Sequence, residues 1–204
     1  MDQEAIKEEK EFKTQAKHFF GYLFPTNSMN IAMIGIFAAM NCVLTMIISI
    51  PIPATQGFIN IGDAGVMITG MLLGPLIGGL AGGIGSALAD LLLGYPIYAP
   101  ATLIIKGLEG FIVGMISHPR INHSKLKIRD IVAVICGGLV MVFGYFLYEI
   151  MLFGVPAAFY EFIFNGIIQL GLGATIACIF IGSTRKRIVD TFPQAFSKIY
   201  LMDL

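Results

Sequence analysis

Apolar residues in this chain gather into runs of about membrane length, without the polar face that recurs along a soluble helix or strand. The first run covers 30–50 and stops at Pro51 and Pro53. A polar stretch follows, Gln56-Gly-Phe-Ile-Asn60-Ile-Gly-Asp63. The second run, 64–78, is interrupted by Gly74-Pro75, and the third, 79–93, stops at Gly94-Tyr95-Pro96. The fourth covers 99–117, the fifth 131–153 and the sixth 158–182. A straight span needs about 20 apolar residues. The second and third fall short, so they are expected to be tilted, broken or incomplete. The pattern predicts an all-α integral membrane protein of six transmembrane helices.

Composition agrees. Of 204 residues 56% are hydrophobic and 13% charged, too few polar groups to cover a soluble surface. The formal net charge is zero, so no basic field points to nucleic acid. Position along the chain says more than the total. Lys7, Lys10, Lys13 and Lys17 precede the first run. Arg120, Lys125, Lys127 and Arg129 separate the fourth from the fifth. Arg185, Lys186, Arg187 and Lys198 follow the sixth. The connections after the first, third and fifth runs hold no Lys or Arg. Positive charge is retained in the cytoplasm, so both termini are expected inside. Three parts result: a charged leader (1–28), a membrane domain (29–184) and a cytoplasmic tail (185–204). Phe12, Ala16, Phe19, Phe20 and Leu23 recur at helical spacing, which predicts a partly interfacial helix in the leader.

Polar groups inside a membrane are costly and need a partner or a purpose. With this topology the fourth helix runs inward, so Lys106 and Glu109 lie roughly 10–15 Å from its outer end. Tyr145 and Glu149 fall near the outer end of the fifth helix. Asn165 and Gln169 lie four residues apart on one face of the sixth. Asp90 closes the third helix, Tyr95 and Tyr98 follow it, and Asn60 and Asp63 belong to the first outer loop. The polar groups therefore gather in the outer half. A channel would line both halves; this distribution suggests a cup open to the outside.

Plainer readings stand beside this one. Lys106 and Glu109, three apart, suit a neutralising pair as well as substrate contact. Asp63 suits an N-cap, and Asn165 and Gln169 suit interhelical bonding. Asp90 opposes the helix dipole and wants a partner, which Lys106 could supply. Glu161 is expected at the outer interface, solvated. The repeating glycines Gly70, Gly74, Gly78 and Gly82 suit close helix packing.

Catalysis finds little support. Cys42, Cys136 and Cys178 lie in apolar runs, and His18, His118 and His123 lie in cytoplasmic segments. No GxxxxGK[ST] is present, so this chain is not expected to bind ATP or another cofactor. A channel or a stand-alone membrane enzyme is the competing class.

The stretches Asn60-Ile-Gly-Asp63, Leu73-Gly-Pro75-Leu-Ile-Gly-Gly, Gly85-Ser-Ala-Leu-Ala-Asp90, Gly94-Tyr95 and Ala99-Pro-Ala-Thr102-Leu-Ile-Ile-Lys106-Gly-Leu-Glu109-Gly carry a resemblance. The chain resembles the substrate-specific (S) subunits of energy-coupling factor (ECF) transporters, most of all the branch linked to riboflavin, hydroxymethylpyrimidine and pyridoxine uptake. Asp2 after Met1 disfavours the nickel and cobalt branch, which has histidine there. The resemblance implies a subunit in a prokaryotic plasma membrane that binds a B-vitamin or precursor from outside. It also implies a transmembrane scaffold subunit and two cytosolic ATPases as partners, which would use the ATP. A small-residue face on the first helix would meet the scaffold; Ala32, Gly35 and Ala39 are the nearest match. Asn60, Asp90, Tyr98, Lys106, Glu109, Tyr145, Glu149, Asn165 and Gln169 are the expected substrate-binding residues. The pyridoxine or hydroxymethylpyrimidine class is favoured narrowly, with riboflavin as the alternative.

Overall fold

The computed structural model describes residues 18–119 and 126–200. It opens on a small antiparallel hairpin, β1 (His18–Phe19) and β2 (Tyr22–Leu23). Phe20 and Gly21 both take positive φ (50° and 84°), the backbone a two-residue hairpin turn requires. Phe19, Phe20 and Leu23 are therefore not helical as their spacing suggested. Phe12 and Ala16 lie outside the described residues.

Helix α1 (Ser28–Ile47) starts at Asn27, whose side chain accepts from the Asn30 N–H at 2.7 Å. Strands β3 (Ser49–Ile52) and β4 (Gly57–Asn60) then pair antiparallel, Ser49 opposite Asn60 and Ile52 opposite Gly57. The polar stretch after the first run is thus a β-hairpin.

Helix α2 (Gly62–Leu73) is only 12 residues long, about 18 Å. Gly74 ends it with φ +82°, and Pro75 starts α3 (Pro75–Leu93) at the helix position where its missing N–H costs nothing. The break between the second and third runs is at Gly74, four residues before the sequence reading divided them. Helix α4 (Ala99–Ser117) and helix α5 (Ile128–Phe153) follow. Helix α6 (Val155–Phe164) passes through a π-helical turn (Asn165–Gln169) into α7 (Leu170–Thr191), and a short α8 (Pro193–Phe196) closes the fold.

Five of these stretches are long and apolar enough to cross a membrane: Ser28–Ile47, Pro75–Leu93, Ala99–Ser117, Ile128–Phe153 and Val155–Thr191. The expected second span is instead the half-length α2, buried along its entire length. The outward faces of the long helices carry exposed Ile36, Leu92, Ile104, Met151, Ile167 and Ile179. Such surfaces suit lipid, not water.

Glycines set the packing of α2, α3 and α4. A Cβ on Gly78 would stand 2.7 Å from Gly70 Cα, and one on Gly83 would stand 2.5 Å from the Leu103 carbonyl oxygen. Only glycine admits backbones this close.

Because α2 stops short, the end of the bundle away from the β3–β4 hairpin is filled by the chain's terminal segments. Tyr22 packs on Gly74 and on His118, whose Nδ1 lies 3.2 Å from the Tyr22 hydroxyl. The Leu23 N–H donates to the Ile199 carbonyl at 2.9 Å, and Asn27 Nδ2 donates to the Lys198 carbonyl at 3.1 Å. Tyr22, Phe196, Ile199 and Tyr200 join the core formed by α2, α5 and α7. Packing therefore continues through both sequence boundaries, 28 and 184.

At the same end Arg185 of α7 is buried and grips Asp130 of α5 with both terminal guanidinium nitrogens, Nη2 at 2.8 Å and Nη1 at 3.0 Å. Its Nη2 also reaches the Ser117 hydroxyl (3.2 Å) and the Met71 carbonyl (3.3 Å). One side chain thus ties α2, α4, α5 and α7 together.

Candidate functional site

At the hairpin end a small cavity lies beneath β4, among α3, α4, α5 and the α6–α7 rod. Each wall follows from a local feature. Gly94, in the left-handed conformation (φ 87°), stops α3 and leaves Asp90 in its last turn. Tyr98 precedes α4, and Thr102 stands one turn further along it. The π turn adds a residue to the α6–α7 rod and turns Gln169 inward; such turns recur at functional sites.

The groups around the cavity form a connected set. The Tyr145 hydroxyl donates to Thr102 Oγ1 at 2.9 Å, and Thr102 hydrogen-bonds Asp90. The Asn60 N–H donates to Gln169 Oε1 at 3.1 Å, while Asn60 Oδ1 accepts from the Gly62 N–H at 2.8 Å. The Tyr98 hydroxyl donates to the Thr55 carbonyl at 2.8 Å, and the Thr55 hydroxyl donates to Glu161. Burial, then the neighbouring Glu161 and Glu149 carboxylates, pushes the Tyr98 phenol well above its ordinary pKa, so it stays a neutral donor. Phe58 packs on Tyr95 with ring centroids 4.7 Å apart, and Tyr98 stacks near Phe153.

The space left is about 20 Å³ for the centre of a water-sized sphere, room for about one water. Small-molecule pockets run to roughly 300 Å³ and more. A solute larger than water therefore requires the groups around the cavity to move apart.

The structure brings Asn60, Asp90, Tyr98, Tyr145 and Gln169 into this wall. Glu149 is fully buried on α5, outside the wall, and interacts with the Glu161 carboxyl that lines it. Lys106 and Glu109 are not in the wall. Lys106 is fully enclosed, 3.1 Å from Glu109 Oε2 and ion-paired with Asp63. Its ammonium lies 5.9 Å from the centroid of the Tyr145 ring. So Lys106 serves Asp63 and Glu109, and Asp90 takes its hydrogen bond from Thr102. Asp63 sits within the first turn of α2, with Ile61 as the cap residue. Asn165 opens the π turn, but its side chain lies outside the described residues.

Sequence reasoning missed Thr55, Gly57, Phe58, Thr102 and Glu161. Glu161 is buried, 3% exposed, contrary to the solvated place expected for it. The signal was present: Glu161, Asn165 and Gln169 recur at four-residue steps, so the polar face of this helix began one turn earlier. Ala32, Gly35 and Ala39 lie on the exposed face of α1, and nothing stands within 4 Å of a Cβ placed on Gly35.

A family model described as ECF-type riboflavin transporter, S component, matches residues 26–186. The chain belongs to this S-component family. The S component is also similar to a protein of Pyrococcus woesei described as an uncharacterized protein in gap 3'region. The two are 46% identical over 134 residues, which is 66% of this chain and 86% of the relative. As an S component, the chain is the substrate-binding part of a vitamin transporter, multi-pass in a prokaryotic membrane. S components work with scaffold and ATPase modules and are not a family of enzymes.

Proposed function

We propose that this S component captures a small heteroaromatic B-vitamin or precursor, of the pyridoxine or hydroxymethylpyrimidine class, in the cavity under the β3–β4 hairpin. The hairpin end faces outside and both termini face the cytoplasm, with α2 as a half-length second segment of six. The residues 1–28 and 185–204 are the cytoplasmic portions. The observation that carries the reading is the cavity itself: carboxyl, amide, hydroxyl and aromatic groups from five segments converge under one hairpin. Asn60, Asp90, Tyr98, Tyr145 and Gln169 touch the substrate, joined by Glu161 and Thr102. Glu149 and Asn165 act from just behind them. Lys106 and Glu109 hold the floor, with Asp63.

The hairpin opens to admit substrate and closes over it. The loaded subunit then tips in the membrane, driven by two partner ATPases through a scaffold that meets Ala32, Gly35 and Ala39. The apolar outer faces of the helices suit such a motion, since few charged groups resist leaving their depth.

Riboflavin is the second reading, favoured by the description of the matching family. Mass spectrometry of small molecules released by denaturing the purified, detergent-solubilised protein tests both. A stoichiometric vitamin names the substrate, and riboflavin adds yellow absorbance. No released vitamin and no thermal shift with any B-vitamin would overturn the proposal.

A further inference from the structure

The charge of the cavity narrows its ligand further, an inference that rests on the vitamin-binding reading above. Asp90 is 3% exposed and lines the cavity, yet its Oδ2 has no hydrogen-bond partner among the described residues. Glu161 lines the same space, with Glu149 interacting from behind. No Lys, Arg or His of the described residues lines it. The nearby ammonium, Lys106, is committed to Asp63 and Glu109. Nor do these carboxyl groups make a metal site, since no cluster of three or more His, Cys, Asp or Glu suited to a metal ion occurs among the described residues.

A buried carboxyl group without a cationic partner is costly to ionise, and an arriving cation offsets that cost. Beside the neutral Asn60, Thr102 and Gln169, the wall carries three aromatic rings, Phe58, Tyr98 and Tyr145. Ring faces attract the same sign of charge that carboxylates do. We infer that the preferred ligand is an organic cation, a heteroaromatic ring carrying a protonated amine or a protonated ring nitrogen, with the cation set against Asp90. With no basic group among the described residues of the wall, nothing offsets the charge of a bound anion, so a phosphate ester of an accepted ligand is refused.

Isothermal titration of the full-length, detergent-purified protein tests this with pyridoxamine, pyridoxine, pyridoxine 5'-phosphate, hydroxymethylpyrimidine and riboflavin. An amine-bearing compound binds at least about tenfold tighter than its neutral counterpart, and the phosphate binds at least about a hundredfold more weakly. Asp90→Asn brings amine and alcohol to within about threefold of each other. If that variant does not fold, the wild-type series alone decides. Riboflavin or pyridoxine binding as tightly as the amines, or a phosphate ester binding equally, overturns the charge assignment and leaves the vitamin reading standing. Binding by none of the compounds overturns both.

Discussion

The Thr55 hydroxyl donates to the Glu161 carboxylate, and this bond joins the β3–β4 hairpin to α6 across the mouth of the cavity. The Tyr98 hydroxyl holds the same residue by its carbonyl. Thr55 is fully buried, so the hairpin is latched through one residue from two sides. Hydrogen bonds to charged groups contribute about 1.5–3 kcal/mol. Thr55→Ala therefore raises the rate of ligand exit by about tenfold or more, with a smaller change in the rate of entry. Stopped-flow fluorescence of bound vitamin reads both rates. An unchanged exit rate would remove Thr55 from the closing device.

The grip of Arg185 on Asp130 gives a second prediction. Removing one partner of a buried ion pair leaves an uncompensated charge and costs about 3–5 kcal/mol. Arg185→Met and Asp130→Leu are each expected to lower the melting temperature in detergent sharply. The double variant recovers much of that loss, because no charge is left alone. Differential scanning fluorimetry of the three variants checks this, and simple additivity of the two losses would refute it.

How far the sequence reaches is clearest at α4 and α2. The run 99–117 coincides with Ala99–Ser117 because turn residues bound it on both sides. Gly74-Pro75 stands out as an interruption within the run 64–78, yet apolar residues resume after it, so the pattern alone does not show that α2 ends there; the positive φ of Gly74 decides it. Phe19, Phe20 and Leu23 have helical spacing, yet Gly21 allows a tight turn that wins over so short a pattern. The cavity is legible in the same uneven way. Asp90, Tyr98 and Gln169 stand out as polar residues in apolar surroundings. The Asp63–Lys106 pair does not, because its members come from different helices and local spacing offers Lys106 only Glu109. Thr55 and Glu161 meet only once the hairpin folds over α6.

Glycines that look alike in the sequence differ in consequence. A Cβ at Gly83 would meet the Leu103 carbonyl oxygen at 2.5 Å, backbone that cannot rotate away. Overpacking of this kind costs about 1–3 kcal/mol. At Gly35 nothing lies within 4 Å, and alanine is the better helix former by roughly 1 kcal/mol. Gly83→Ala is thus expected to lower the melting temperature and Gly35→Ala to hold or raise it. Equal effects would mean that close approach of α3 and α4 is not what Gly83 supplies.

The exposure of Gly35 leads to the last prediction, since a position with no partner inside the subunit is free to serve one outside it. Ala32, Gly35 and Ala39 leave a shallow strip of small residues along α1, between the bulkier exposed side chains of Ile31 and Ile36. A partner helix can approach such a strip closely, and a large side chain in it holds that helix off. Gly35→Leu points into open space, so the isolated subunit keeps its stability and its affinity for vitamin. Assembly with the scaffold and ATPase modules falls, and vitamin uptake by cells expressing the complete transporter falls with it. Co-purification of the partners through a tag on this chain measures the first, and radiolabelled vitamin uptake the second. Loss of uptake with assembly intact would move the scaffold contact off this face, and loss of vitamin binding by the isolated variant would show that the face serves the fold.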